Sequence, residues 1–229
     1  MLIMMVDFVG LPGCGKSFMT EKLQQRLSEK GFVVHNLSRN RKTSIACKIL
    51  FKLAALFLYV SPYYYRKKKM ILEKIGDAET IPYESNFFIK EKKKIVKDLI
   101  LNSFVHNAFD SPKKIFLNDE GIVHKVLYMT IFFKIPLNSM MEIFEILRTK
   151  PLTFYIKCSV EQSFASIKER NRKDCPMDFL NNDELLFFLN SFFKKINLMQ
   201  KMICLPEIDM DNDLEQKLAM VCEVVTGNK

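Results

Sequence analysis

Histidine, glycine and tryptophan are scarce in this chain: three His, seven Gly and no Trp among 229 residues. The histidines (His35, His106, His124) lie far apart, and the six cysteines (Cys14, Cys47, Cys158, Cys175, Cys204, Cys222) include no Cys-x-x-Cys pair. That scatter argues against a structural zinc site and for thiols kept reduced, hence a cytoplasmic setting. No uncharged apolar run reaches the roughly 18 residues of a membrane span. The nearest, Ile45 to Val60, carries Lys48 and Lys52 at i, i+4 and reads as a largely buried amphipathic helix, with an interfacial membrane helix as the alternative. No secretory leader is expected, since Leu2 to Val9 already reads as a strand and no cleavage site follows. Repeats, low-complexity tracts and Gly/Ser linkers are missing too. A chain of this length with 48% hydrophobic residues therefore suits one domain over 1–229.

Charge of one sign is in excess. Lys and Arg number 35 against 26 Asp and Glu, a net +9, which fits anionic partners such as nucleotides, nucleic acid or an acidic membrane face. No alternation of aromatic and basic residues of the RNA-binding kind accompanies it, so nucleic acid would rest on net charge alone.

What is there is concentrated near the N-terminus. Gly10-Leu11-Pro12-Gly13-Cys14-Gly15-Lys16-Ser17 follows the apolar run Leu2 to Val9 and precedes an amphipathic stretch, Phe18 to Lys30, with Met19, Leu23 and Leu27 at i, i+4, i+8. In a strand-loop-helix setting this Gly-x-x-x-x-Gly-Lys-Ser pattern is a phosphate-binding loop, Walker A. Glycines let successive backbone N–H groups converge on phosphates, and the helix N-terminus adds partial positive charge. Residues 10 to 18, ending at Phe18, should contact a nucleoside triphosphate, with Lys16 on the outer phosphates and Ser17 on Mg²⁺. A bare turn explains one or two of the glycines but not Lys-Ser as well.

Phe32 to Leu37 reads as a second strand, and Asp7 is the one charge in the first. Arg39 and Arg41 then fall at the carboxyl edge where a second, anionic substrate would arrive; a solvated basic turn would have the same composition. Lys114 to Asn118 is a third strand ending in Asp119-Glu120-Gly121. A strand ending in an acid is how such proteins bring a carboxylate to the metal, so Asp119 is the first choice for the Mg²⁺ shell or for accepting a hydroxyl proton, and Glu120 the second. The histidines read as structural, with His124, one turn past the acids, the best exception. Val123 to Ile135 and Asn138 to Lys150 read as helices, Leu152 to Lys157 as the fourth strand, and Ser159 to Gln162 as a capping box. The helix it opens ends in Lys168-Glu169-Arg170-Asn171-Arg172-Lys173, cations able to close over a triphosphate or merely to balance the helix dipole. Asp178 to Lys201 reads as a long helix, Met202 to Ile208 as a short or edge fifth strand, and Asp213 to Val225 as a closing helix.

With these motifs in this order, the chain resembles the P-loop nucleoside and nucleotide kinases, thymidylate-kinase-like members especially. The loop of residues 10–17, the Phe116 to Gly121 strand end, the Thr153 to Arg172 strand-helix and the closing Ile203 to Asp209 segment carry the resemblance, over about half the chain. It implies a three-layer α/β fold with a parallel five-stranded sheet in the order 2-3-1-4-5, a helical acceptor insert at about 43–110, and a lid at about 168–180 bearing Arg170 and Arg172. It implies Mg-ATP as donor, an acceptor that is a nucleoside, nucleotide or sugar-like hydroxyl or phosphate compound, and adenine near Glu207 to Asp209. Two positions depart from the family: Asp119-Glu120-Gly121 replaces the usual acid-Arg ending, and Ser166 stands where a further arginine is expected. The competing class is a P-loop ATPase or switch that binds a macromolecule or membrane through basic helices. Homodimerisation and peripheral membrane contact are left open by the composition.

Overall fold

The computed structural model describes residues 4–37, 53, 56–75, 85–108, 114–132, 135–149, 151–170, 176–209 and 213–227. The first strand, β1 (Met4–Val9), is buried on both faces, as its near-continuous apolar run requires of a central parallel strand. It pairs with β3 (Lys114–Asn118) on one side and β4 (Leu152–Lys157) on the other; β2 (Val33–Asn36) adds beyond β3 and β5 (Glu207–Asp209) beyond β4. All pairings are parallel, and the order is β2-β3-β1-β4-β5, as the resemblance implies.

The order places the helices. The β1-to-β2 connection runs one way along the sheet, while those to β3, β4 and β5 run the other way. Right-handed crossovers therefore put α1 (Lys16–Glu29) on one face and the later connections on the opposite face. Those later helices are α2 (Pro62–Ile75), α3 (Ser85–Ala108), α4 (Ile122–Phe132), α5 (Leu137–Leu147), α6 (Val160–Arg170) and α7 (Asn182–Ile203). The last helix, α8 (Leu214–Thr226), returns to pack on α1. Reversal of direction at β1 and β3 opens a crevice at their carboxyl ends, the general ligand position of such sheets.

Local chemistry sets most boundaries. Ser159 and Gln162 form the expected capping box on α6, 3.1 and 3.0 Å. Asn181 and Glu184 form another on α7, both bonds 2.9 Å. That second box splits the expected Asp178 to Lys201 helix: Pro176–Phe179 is a separate 3-10 turn and α7 starts at Asn182. At its other end α7 continues to Ile203, so the fifth strand is Glu207–Asp209 rather than Met202 to Ile208. The buried stripe Phe188, Phe192, Ile196, Met199 keeps the 3.6-residue period running past Met202. Cys204 then ends the helix in the left-handed conformation, and Gln200 ties down Leu205 through both amide atoms.

The expectation that Ile45 to Val60 is largely buried fails for the part described. Leu58 is buried and Tyr59 half-buried, but Leu53, Leu56, Phe57 and Val60 are exposed. Ser61-Pro62 ends that stretch. It also opens α2, the Ser61 hydroxyl accepting from Tyr64 N at 3.2 Å. The run Lys90 to Lys94 lies inside α3.

Candidate active site

The loop after β1 is held from two sides. Gly13 and Gly15 take φ of 83° and 86°, a region that non-glycine residues enter only with strain. A Cβ on Gly13 would also stand 3.1 Å from both Ser163 O and Ser166 Cβ. Helix α6 therefore lies directly against the loop, and the Ser163 hydroxyl donates to the Pro12 carbonyl. Ser166 is small enough to allow that approach.

Helix α1 begins at Lys16 with no side-chain cap and no acid in its first turn, so its N-terminal amides keep the anion-binding character of an uncapped helix. Lys16 is buried, and its ammonium donates to the carbonyls of Gly10 at 3.0 Å and Leu11 at 2.7 Å. Ser17 faces the end of β3: its hydroxyl donates to Asp119 Oδ2 at 2.6 Å, across 102 positions of sequence. Leu11, Pro12 and Cys14 are buried, whereas Phe18 projects outward with Lys22 5.8 Å from its ring.

The two acids differ. Asp119 is 9% exposed and bonded to Ser17, while the Glu120 side chain points to solvent. Glu120 contributes its backbone, its N–H donating to Asn118 Oδ1 at 3.3 Å and its carbonyl accepting from the Lys125 ammonium. Arg170 shares one face of α6 with Ser163, Ser166 and Ile167, the face that meets the loop. Its guanidinium pairs with Asp178 at 2.9 Å, and that carboxylate is buried. Arg39, Arg41 and Arg172 lie outside the described residues.

A second acid emerges beneath the loop. Asp7, fully buried on β1, accepts from Ile122 N at 2.7 Å and so caps α4 from the neighbouring strand. Burial pushes its carboxyl up to about 7, against the lowering pull of the Ile122 N–H, Lys125 and the Val123 N–H. The lone charge in an apolar strand was its only signal in the sequence. His124 is buried as well, with ring contacts to Tyr128 and Phe192 at 5.0 and 5.3 Å. Burial, with Lys16 and Lys125 nearby, holds its pKa well below the usual histidine value. It is therefore neutral at physiological pH, next to the loop lysine.

A raised carboxyl pKa in the folded state means that Asp7 supports folding best when protonated. Its contribution is complete below about pH 4 and lost as pH rises to about 7, at up to about 1.4 kcal/mol per unit, roughly 4 kcal/mol in all. Asp7→Asn should therefore flatten the fall in melting midpoint between about pH 4 and 7. Parallel midpoint curves for the two proteins would show that Asp7 does not titrate there.

Site and topology together match a known architecture. No family model and no curated protein matches the sequence, but solved structures do. Deoxyadenosine kinase from M. mycoides, with products dCMP and a flexible dCDP bound, aligns at a TM-score of 0.51 over 99% of this chain and 100% of the other, at 14% identity. The same enzyme with bound dATP aligns at 0.51 over 97% and 98%, at 13% identity. The fold is that of a P-loop nucleoside kinase. Within that kinase fold, Ser17 and Asp119 stand at the crevice between β1 and β3, and α6 closes the far side of the loop. Among the described residues no cluster of three or more His, Cys, Asp or Glu exists to hold a metal. The oxygen pair Ser17 Oγ and Asp119 Oδ2 nonetheless suits Mg²⁺, which takes one or two protein oxygens and fills its octahedron with phosphate and water.

Proposed function

We propose that this chain is a Mg²⁺- and ATP-dependent small-molecule kinase that transfers a γ-phosphoryl group to a nucleoside-like acceptor. The observation that supports it most is the 2.6 Å contact of Ser17 with Asp119, which joins the helix after the phosphate loop to the strand-end acid. In this reading Ser17 and Asp119 hold Mg²⁺, which would neutralise charge between the outer phosphates. Lys16 exchanges its two loop carbonyls for β- and γ-phosphate oxygens, while the loop amides and the α1 N-terminus bind the remaining oxygens. Asp119 alternatively takes the acceptor's proton; Glu120, solvent-facing, is the weaker candidate for either task. Arg170 supplies positive charge from the α6 face, with Arg172 beyond it on a lid of about 168–180. The segment 43–110 forms the acceptor side, where Arg39 and Arg41 would meet an anionic group, and Glu207 to Asp209 lies near the adenine.

The structural neighbours' bound dCMP, dCDP and dATP make deoxynucleosides the first acceptors to try. ADP release from Mg-ATP should rise with one member of a panel of nucleosides, nucleoside monophosphates and sugars. ATP binding without turnover on any of them would overturn the kinase assignment. Asp119→Asn should lower turnover on the active acceptor by about a hundredfold or more. A near-normal rate would move the role to another acid.

A further inference from the structure

The strongest feature outside the nucleotide site is the surface formed by Leu53 and residues 56–70. Leu53, Leu56, Phe57 and Val60 recur at the three- and four-residue spacing of one helical face, and they are 48%, 61%, 71% and 70% exposed. Leu58 alone of this turn is fully buried. After Ser61, α2 begins at Pro62 and carries Tyr63 and Tyr65, both exposed. The cationic run Arg66-Lys67-Lys68-Lys69 follows at once.

That cationic run is poorly neutralised. Among the described residues the ion pairs of α2 fall on its later part, Lys69 with Glu73 and Lys74 with Glu142. Lys67 and Lys68 lie instead over the rings of Tyr63 and Tyr64, at 5.5 and 5.9 Å. Burial, then Arg148 and Arg66, lower the pKa of Lys67, a sign of cations gathered without a carboxylate. Two chemistries thus follow one another along the chain: apolar and aromatic side chains projecting to water, then three cations with no ion pair among the described residues.

We infer that this surface, from the exposed Leu53, Leu56, Phe57 and Val60 to Arg66, Lys67 and Lys68 on α2, docks the protein peripherally on an anionic lipid bilayer. Projecting leucine, phenylalanine and valine enter the acyl boundary, tyrosines sit at headgroup level, and the cations meet lipid phosphates and carboxylates. A second copy of the chain would instead bring Arg66, Lys67 and Arg148 towards their own counterparts, and like charges oppose that pairing. Nucleic acid would satisfy the cations but offers no apolar phase to the aliphatic residues. No described helix is long and apolar enough to cross a membrane, so the contact is interfacial. These residues lie within the segment 43–110 that the proposed function gives to the acceptor side, but none belongs to the phosphate loop or its acids, so ATP binding and vesicle binding report on the two readings separately.

Flotation of the full chain with phosphatidylcholine/phosphatidylserine vesicles tests it, with pure phosphatidylcholine vesicles as control. Binding should require the anionic lipid and weaken steeply with salt. Lys68→Gln should weaken it about fivefold and Phe57→Ser about tenfold, with melting midpoint and ATP binding unchanged in both. Absence of flotation, or equal binding to the two vesicle types, overturns the inference. So does a dimer by light scattering that Phe57→Ser turns into monomer, since the surface would then be an interface between copies.

Discussion

Phosphoryl transfer by Lys16→Ala is expected to fall by about a thousandfold or more, while the melting midpoint stays close to that of the parent. The two halves of this expectation have separate causes. Lys16 is the loop's own cation, buried beneath the turn and bonded to the Gly10 and Leu11 carbonyls at 3.0 and 2.7 Å. In the proposed reaction its charge is needed where negative charge shifts between β- and γ-phosphate, in a site where screening by water is weak. The folded state depends on it less. The loop is shaped by its glycines, by Cys14 N donating to Leu11 O at 3.2 Å and by the Ser163 contact from α6. Removing a desolvated ammonium also removes its own burial cost. Single-turnover transfer and thermal melting, measured on the same preparation, separate the two effects. Unchanged turnover would sink the assignment of the loop as the reacting site.

The largest effect on stability is expected from Gly121→Ala. A Cβ there would lie 1.9 Å from Asp7 Cγ and within 2.3 Å of both carboxylate oxygens, far inside contact distance. Asp7 is fully buried and short, so its carboxylate would have to leave its place and give up the bond from Ile122 N at 2.7 Å. Overpacking and a lost helix cap together should cost about 3 kcal/mol or more. If that collision is the cause, Asp7→Ala should rescue part of the loss, and the double-mutant cycle should show strong coupling. Additive losses would place the fault elsewhere in the turn. At Gly121, β1 presents a carboxylate to the turn and leaves no room for a side chain.

Much of this protein could be read from local chemistry. Loop, flanking strand and helix share one short segment, and the parallel strands announce themselves as apolar runs. Where the reading failed, local pattern had two solutions. Met202 to Leu205 is apolar enough for a strand, but the stripe Phe188, Phe192, Ile196, Met199 packs inward and carries the helix to Ile203. The stretch around Leu58 has the composition of a core helix, yet only Leu58 and in part Tyr59 find partners.

By itself, then, the sequence determined the phosphate loop, because the spacing of glycines, Lys16 and Ser17 is a local requirement of backbone and charge. It also determined the capping box at Ser159 and the first four parallel strands. Only the tertiary structure separated Asp119 from Glu120 in position, since adjacent residues at a strand end point in different directions and only Asp119 meets Ser17. It alone placed Asp7 beneath Gly121 and turned Phe57 and Val60 outward, because burial belongs to the neighbours that the fold brings and not to the residue.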